Sequence, residues 1–338
     1  MAYKQFSAQF LPAVETALHS LLEQHFQQDR YADLRYMMAY HLGWEGEGSG
    51  ARAQGKRIRP QITLLCCAAA GGDWHNAIPA ATAVELIHNF SLIHDDIEDR
   101  SELRHGRKTV WAKWGEAQAI NTGDAMLTLA HLALIDLDRS LPAVKTLAAA
   151  ELLQTTCLDL TRGQFLDISF ETKRSIPVED YWPMVGGKTA ALLAGCAKLG
   201  SLVGGADEDR QDAFYRFGYS LGLAFQAQDD ALGIWGDAAL LGKSIESDLV
   251  SGKKTLPVVF ALVKNNAFAQ RWLAGPITIE EVPQLAEELR DEGAKEFTLA
   301  QADRLTTEAL EALHEAVSEP TAGQALEELA LDLLKRNR

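Results

Sequence analysis

Two short acidic clusters, each ending an apolar run, are where this sequence could do chemistry. The first lies in His88-Asn89-Phe90-Ser91-Leu92-Ile93-His94-Asp95-Asp96-Ile97-Glu98-Asp99. On a helix Asp95 and Asp99 stand one turn apart and roughly 40° around the axis, so both carboxylates project the same way. His88 is two turns earlier on nearly the same line. Such carboxylates, with no basic residue between them, repel each other by roughly a few tenths of a kcal/mol on a solvated helix. Hard oxygen ligands in this spacing suit Mg²⁺, which keeps waters and is usually shared with substrate phosphates. The second cluster is Phe225-Gln226-Ala227-Gln228-Asp229-Asp230, with Gln226 and Asp230 one turn apart and Asp229 beside them.

Cations accompany both clusters. Lys56, Arg57 and Arg59 gather in Gly55-Lys56-Arg57-Ile58-Arg59-Pro60; Arg104 and Arg107 follow the first cluster, and Lys243, Lys253 and Lys254 the second. Placed so, they can bind phosphate oxygens while the acids hold a metal, Arg as a fork and Lys as a point charge. Gly186-Gly187-Lys188-Thr189 is not a nucleotide-binding loop, which needs glycine where Trp182 stands and a preceding strand. It reads as a helix break that exposes backbone carbonyls and Lys188.

Long helices must position these groups. Of 338 residues 47% are hydrophobic, enough for a sizeable core. Apolar residues recur at three- and four-residue spacing, as in Leu147-Ala148-Leu152-Leu153-Leu158 and Phe214-Phe217-Leu221-Phe225, with no sustained alternation, so the chain reads as all-α. One long helix is predicted from about Ala77 to about Asp99. Gly204-Gly205 closes another, and Asp207 caps its successor. Gly218 and Gly222 allow close approach to the helix of the second cluster. The stretch between Gly233 and Pro257 is too long for an ordinary connector. No linker divides the chain, which reads as one domain over 1–338, with a motif-bearing core of about 55–257 and C-terminal helices over 258–338. A formal charge of −15 excludes a reader of nucleic-acid backbones. Cys66, Cys67, Cys157 and Cys196 form no CxxC pair and read as reduced core thiols. No secretory signal is visible and no apolar run approaches the roughly 18 residues of a membrane span, so a cytoplasmic location is expected.

In this order, the motifs resemble those of the trans-isoprenyl diphosphate synthases, the polyprenyl synthetase family: Gly55 to Pro60, Asp95-Asp96-Ile97-Glu98-Asp99, Gly187-Lys188-Thr189, Gln226 to Asp230, and Gly252-Lys253-Lys254-Thr255-Leu256-Pro257. The resemblance implies antiparallel helices around a deep central cavity, usually in a homodimer. It implies a magnesium-dependent prenyltransferase joining isopentenyl diphosphate to an allylic diphosphate by trans 1'-4 chain elongation. Asp95, Asp99 and Asp229 would hold Mg²⁺, three ions shared with the substrate diphosphate, with Asp96 in the same catalytic motif. Arg104, Lys188, Lys253 and Lys243 would contact the allylic diphosphate, with Thr189 and Gln226 near the carbocation. Lys56, Arg59 and His88, with His105, would bind isopentenyl diphosphate. A cyclising lyase on the same scaffold and a non-catalytic partner subunit are the competing readings.

Two departures from the family pattern stand out. Arg104-His105-Gly106 replaces two arginines before glycine, and His105 is charged only part of the time near neutral pH. Gly233 stands where a third aspartate of the second motif is common. Phe90 and Ser91 precede Asp95 by five and four residues, the region where an aromatic in this family limits product length. This favours a C20 product, with C15 next. On an ideal helix Phe90 points roughly 140° away from Asp95, so its place on a cavity wall rests on the resemblance.

Overall fold

The computed structural model describes residues 2–236, 248–264 and 266–335. Its helices are α1 (Ala2–His25), α2 (Ala32–His41), α3 (Ala51–Gln54), α4 (Ile58–Ala69), α5 (Ile78–Glu98), α6 (Val110–Trp114), α7 (Glu116–Ile135), α8 (Ala143–Glu171), α9 (Val178–Val185), α10 (Ala191–Val203) and α11 (Glu208–Trp235). Then follow α12 (Leu256–Leu262), α13 (Ala267–Leu273), α14 (Val282–Asp291), α15 (Ala294–Ala316) and α16 (Pro320–Leu334). Among the described residues the only strands are β1 (Leu103–Arg104) and β2 (Arg107–Lys108), an antiparallel pair in which Arg104 faces Arg107. The all-α expectation holds, and no described helix is long and apolar enough to cross a membrane.

Two compact units are present. The first comprises Met1–Thr155, Cys196–Gln211 and Val317–Leu326. Here α5 packs along α7 and against α4 and α1. Phe10, Val14 and Leu18 of α1, Ile62 and Leu65 of α4, and Val84, Leu86 and Ile87 of α5 are fully buried. Pro79 enters α5 in its first turn, where a missing N–H costs nothing. The helix ends as the Asp99 N–H donates to Asp95 O at 2.8 Å. A Cβ on Gly204 would lie 2.5 Å from Cys67 O, so glycine lets this end of α10 approach α4.

The second unit comprises Thr156–Gly195, Asp212–Ala316 and Glu327–Arg338. Phe214, Phe217 and Leu221 of α11 are buried as their spacing predicts. Gly218 and Gly222 permit close approach, since a Cβ there would come 2.5 Å from Leu193 O and Ala190 Cα respectively. A core of Val258, Ala261, Phe268, Leu285 and Leu289 joins α12, α13 and α14.

One sequence reading needs correction. Gly186–Ala190 is no break: it forms a π-helical turn that carries the chain from α9 into α10. The Leu147–Leu158 stripe is helical, but Leu147 is 68% and Leu158 50% exposed. Periodicity finds an apolar face without saying what covers it. The cysteines form no disulfide; Cys66, Cys67 and Cys196 are buried and Cys157 half-buried. Burial pushes the thiols up, to about 12 for Cys67 and Cys196 and about 11 for Cys157, which disfavours the thiolate form.

Candidate active site

In the first unit the last turn of α5 carries the first acidic motif. Asp96 points inward, with a side chain only 2% exposed, and receives the Arg104 fork: Nε at 3.0 and 3.1 Å from its two oxygens, and Nη2 at 2.8 Å from Oδ1. Burial raises the Asp96 carboxyl, opposed by hydrogen bonds and charge from Arg104. Asp95 is more exposed, at 24%, and lies 3.9 Å from Arg104 Nη2. Neighbours on one helix turn therefore have different surroundings. The Arg104 side chain is presented by the β1–β2 hairpin, whose turn places His105 at φ 53° and Gly106 at φ 78°. A His-Gly pair in the left-handed region is a two-residue hairpin signal that the sequence reading passed over. His105 is exposed; partial burial, then Arg104 and Arg52, lowers its pKa below the ordinary 6.5.

Arg59 Nη1 lies 3.0 Å from His88 Nε2, while Arg59 Nε is buried with no partner among the described residues. Burial, then Arg59 and Arg104, pushes His88 well below 6.5, so the ring is neutral and Nε2 can accept from Arg59. Lys56 is exposed nearby in sequence. Phe90 is half-buried with its ring 4.8 Å from that of His94, and the Ser91 hydroxyl donates to His88 O at 2.8 Å.

Two cations grouped with the phosphate ligands are committed elsewhere. Arg57 donates to Glu15 at 2.7 Å, Glu85 at 2.9 Å and Leu42 O at 3.0 Å. Arg107 donates to Glu47 O at 2.9 Å, Tyr40 O at 2.7 Å and Glu45 O at 2.6 Å, and stacks 3.9 Å over the Tyr40 ring. Between the segments they fasten sits His41, which sequence reasoning missed. Burial, then Arg104 and Arg57, lowers it to about 3, and its Nε2 has no partner among the described residues.

In the second unit Asp230 is buried and accepts three hydrogen bonds, from Tyr181 Oη at 2.6 Å, Leu256 N at 2.7 Å and Gln226 Nε2 at 2.8 Å. Burial raises its carboxyl to about 7 against these donors. Thr189 Oγ1 donates to Gln226 Oε1 at 2.9 Å, completing a chain from the π turn to α11. The structure thus joins Thr189, Gln226 and the inner Asp230, while Asp229 is half-buried beside them. Lys188 Nζ meets Asp167 Oδ2 of α8 at 2.5 Å. Tyr181 and Asp167 were both missed: a lone Tyr and a lone Asp give no spacing signal. Lys254 donates to Glu171 O at 3.2 Å, and Lys253 is exposed. Lys243 lies outside the described residues. The Asp248 carboxylate fills the space a side chain on Gly233 would need, so this departure from the family pattern makes room for an aspartate from further along the chain.

Among the described residues no three His, Cys, Asp or Glu side chains form a ready-made metal cage. Asp95, Asp99 and Asp229 offer oxygen donors alone. That chemistry fits Mg²⁺, whose other ligands are waters and substrate oxygens.

An acidic motif closing α5 with Arg104 bonded to it, a second acidic pair within α11, and helices throughout fit a helical protein that handles diphosphates. The chain belongs to the polyprenyl synthetase family, whose sequence model matches residues 49–289. It is 42% identical to a (2E,6E)-farnesyl diphosphate synthase of Mycobacterium tuberculosis over 82% of this chain and 79% of that one. It is 39% identical to a geranylgeranyl diphosphate synthase of the same organism, over 91% and 87%. The crystal structure of a geranylgeranyl pyrophosphate synthetase from Pyrococcus horikoshii superposes with a TM-score of 0.89 at 31% identity, covering 99% of each chain.

Proposed function

We propose that this chain condenses isopentenyl diphosphate with an allylic prenyl diphosphate, extending it by five carbons to geranylgeranyl diphosphate (C20) or, next in preference, farnesyl diphosphate (C15). The observation that carries this reading is the division of labour in the first motif: Asp96 anchors Arg104, while Asp95 and Asp99 share another helix face. Asp95, Asp99 and Asp229 are the magnesium ligands in this reading. Magnesium held there would supply positive charge to offset the negative charge on the departing diphosphate. Arg104, held by Asp96, and Lys188, held by Asp167, bring fixed positive charge to the diphosphate without reorganising. Lys253, and Lys243 with it, adds to that set. Thr189 and Gln226, linked to each other and to Asp230, turn oxygen dipoles toward the developing carbocation. Elongation requires that water be kept from that cation. Lys56, Arg59, His88 and His105 hold isopentenyl diphosphate, and the Arg59–His88 pair favours condensation over cyclisation. The assay is purified protein with Mg²⁺, isopentenyl diphosphate and each allylic diphosphate, followed by product sizing. Elongation to C20 or C15 is expected, and no elongation with any primer would sink the reading. Phe90→Ala is expected to lengthen the product by at least one five-carbon unit.

His105 sets a second expectation. Its lowered pKa leaves it neutral at pH 7, and it charges only as the medium becomes more acidic. The KM for isopentenyl diphosphate should therefore rise as the pH climbs on the acid side of 6.5 and level off by about pH 7. His105→Arg, with a permanent charge, should lower that KM by about fivefold at the alkaline end and flatten its pH dependence. An unchanged KM in the variant would show that His105 makes no contact with this substrate.

The proposed assembly is a homodimer. On α8, Val144, Leu158 and Phe165 recur at multiples of seven, with Leu147 and Ile168 three residues after Val144 and Phe165, and all five are at least 40% exposed. That seam has the spacing of helix-to-helix contacts, and burying it against a second copy removes it from water.

A further inference from the structure

Resting on that reading, we propose that Arg57 is the positioning residue of the isopentenyl diphosphate subsite, fixing the presentation of Lys56 and Arg59 without touching substrate. Its side chain is 4% exposed, and each of its three guanidinium nitrogens is used: Nε on Glu15, Nη1 on Glu85 and Nη2 on Leu42 O. Three of its five N–H donors are spent on protein, and burial keeps the other two from a phosphate of its own.

The backbone carries the same message. Arg57 sits at φ 48° and ψ 45°, the left-handed region that residues with a Cβ seldom adopt, immediately before α4. Gly55, two residues earlier, also has positive φ. Gln61 in the first turn of α4 closes the loop from the other side, donating from Nε2 to Lys56 O at 2.8 Å and from its backbone N–H to Arg57 O at 3.3 Å. A strained entry of this kind persists only where surrounding contacts over-determine it. Here the inward guanidinium supplies them.

Two rungs then connect the start of α4 to α5. Arg57 meets Glu85 at 2.9 Å, and Arg59, two residues on, meets His88, three residues on, at 3.0 Å. Glu85 is itself fixed by Asn89 Nδ2 at 2.9 Å. The inner rung is a buried, hydrogen-bonded ion pair; the outer rung holds the two residues assigned to the diphosphate. Removing Arg57 strands the Glu85 charge inside the protein. The loop must then open to hydrate it, and Arg59 moves with the loop.

The test uses the full chain with Mg²⁺, steady-state kinetics in both substrates, and calorimetric titration with isopentenyl diphosphate alone. Arg57→Met should raise the KM and the Kd for isopentenyl diphosphate by about tenfold or more, with kcat and the allylic KM within about twofold, because a small displacement of a positioning group is costly. Arg57→Lys keeps the charge but not the fork and should fall between the two. Glu85→Gln removes the buried charge at constant shape and should shift the same constants by about threefold, a test that survives if Arg57→Met does not fold. A merely structural role would lower the melting temperature and the active fraction, hence kcat, and leave KM alone. Folded variants with unchanged isopentenyl diphosphate constants, or with both KM values rising together, would overturn the proposal. Should the natural chain fail to elongate any primer, the activity reading falls, while the calorimetric comparison still decides the role of Arg57.

Discussion

Asp95→Asn and Asp99→Asn should each lower kcat/KM by about 10³-fold or more while leaving the fold intact. Asparagine keeps the volume and one oxygen of the aspartate but removes the charge that attracts a hard cation. Both residues end an apolar helix, so the change relieves like-charge repulsion and costs the helix little. The loss should therefore appear in catalysis and magnesium response and not in melting. Asp96→Asn makes the informative contrast. Its carboxylate is bonded to Arg104 at 2.8–3.1 Å, and losing that charge loosens the arginine without removing a proposed metal ligand. A drop of about 10- to 100-fold, expressed in the allylic KM, is expected, as for residues that orient ligands from behind. Activity against magnesium concentration separates the cases. Asp95→Asn and Asp99→Asn should need far more magnesium, and Asp96→Asn nearly the natural amount. Retention of activity within about threefold in Asp95→Asn would remove the metal assignment, since loss of a genuine ligand cannot be that mild.

The contrast between Asp95 and Asp96 shows where sequence reasoning reaches its limit. The one-turn spacing of Asp95 and Asp99 was legible because it depends only on helical geometry, and α5 runs Ile78–Glu98 as the periodicity requires. The partner of Asp96 depends on a hairpin that brings Arg104 back eight residues later. That fold-back was signalled only by His105-Gly106, whose residues both take positive φ. Arg57 and Arg59 look alike in the sequence and are opposites in the structure. What separates them is Glu15, 42 residues away, and Glu85, 28 residues away, and no local pattern encodes such distances. Asp167 beside Lys188 and Tyr181 beside Asp230 were illegible for the same reason. Gly233 was read as standing where a third aspartate is common; the Asp248 carboxylate occupying its side-chain space is a contact between segments that spacing cannot reveal. Helices and motif faces were thus readable one element at a time, whereas hydrogen-bond partners required the tertiary structure.

Gly163→Ala is expected to be the most damaging single-methyl change in the second unit. In an ordinary exposed helix the substitution would stabilise by about 1 kcal/mol. Here Gly163 of α8 lies against the π turn, and a Cβ on it would come 2.7 Å from Gly187 Cα and closer still to Lys188 N. Gly187 is equally confined, since its own Cβ would sit 2.6 Å from Asp159 O and 2.7 Å from Gly163 N. Backbone rests on backbone, so no flexible side chain can yield and α8 must separate from the turn. Asp167 is one helical turn beyond Gly163 and holds Lys188; Thr189 follows Lys188 and holds Gln226. Separation therefore pulls on both contacts at once. Overpacking of this kind costs about 1–3 kcal/mol, which in a chain of this size lowers the melting temperature by several degrees. Catalysis should fall further, by about 100-fold in kcat/KM for the allylic substrate, because displacing a cation and a dipole by about 1 Å costs that much. A thermal melt and a kinetic assay on one preparation check both parts. A Gly163→Ala protein that melts and turns over like the natural chain would mean that α8 and the π turn are not in contact and that Lys188 is not held by Asp167.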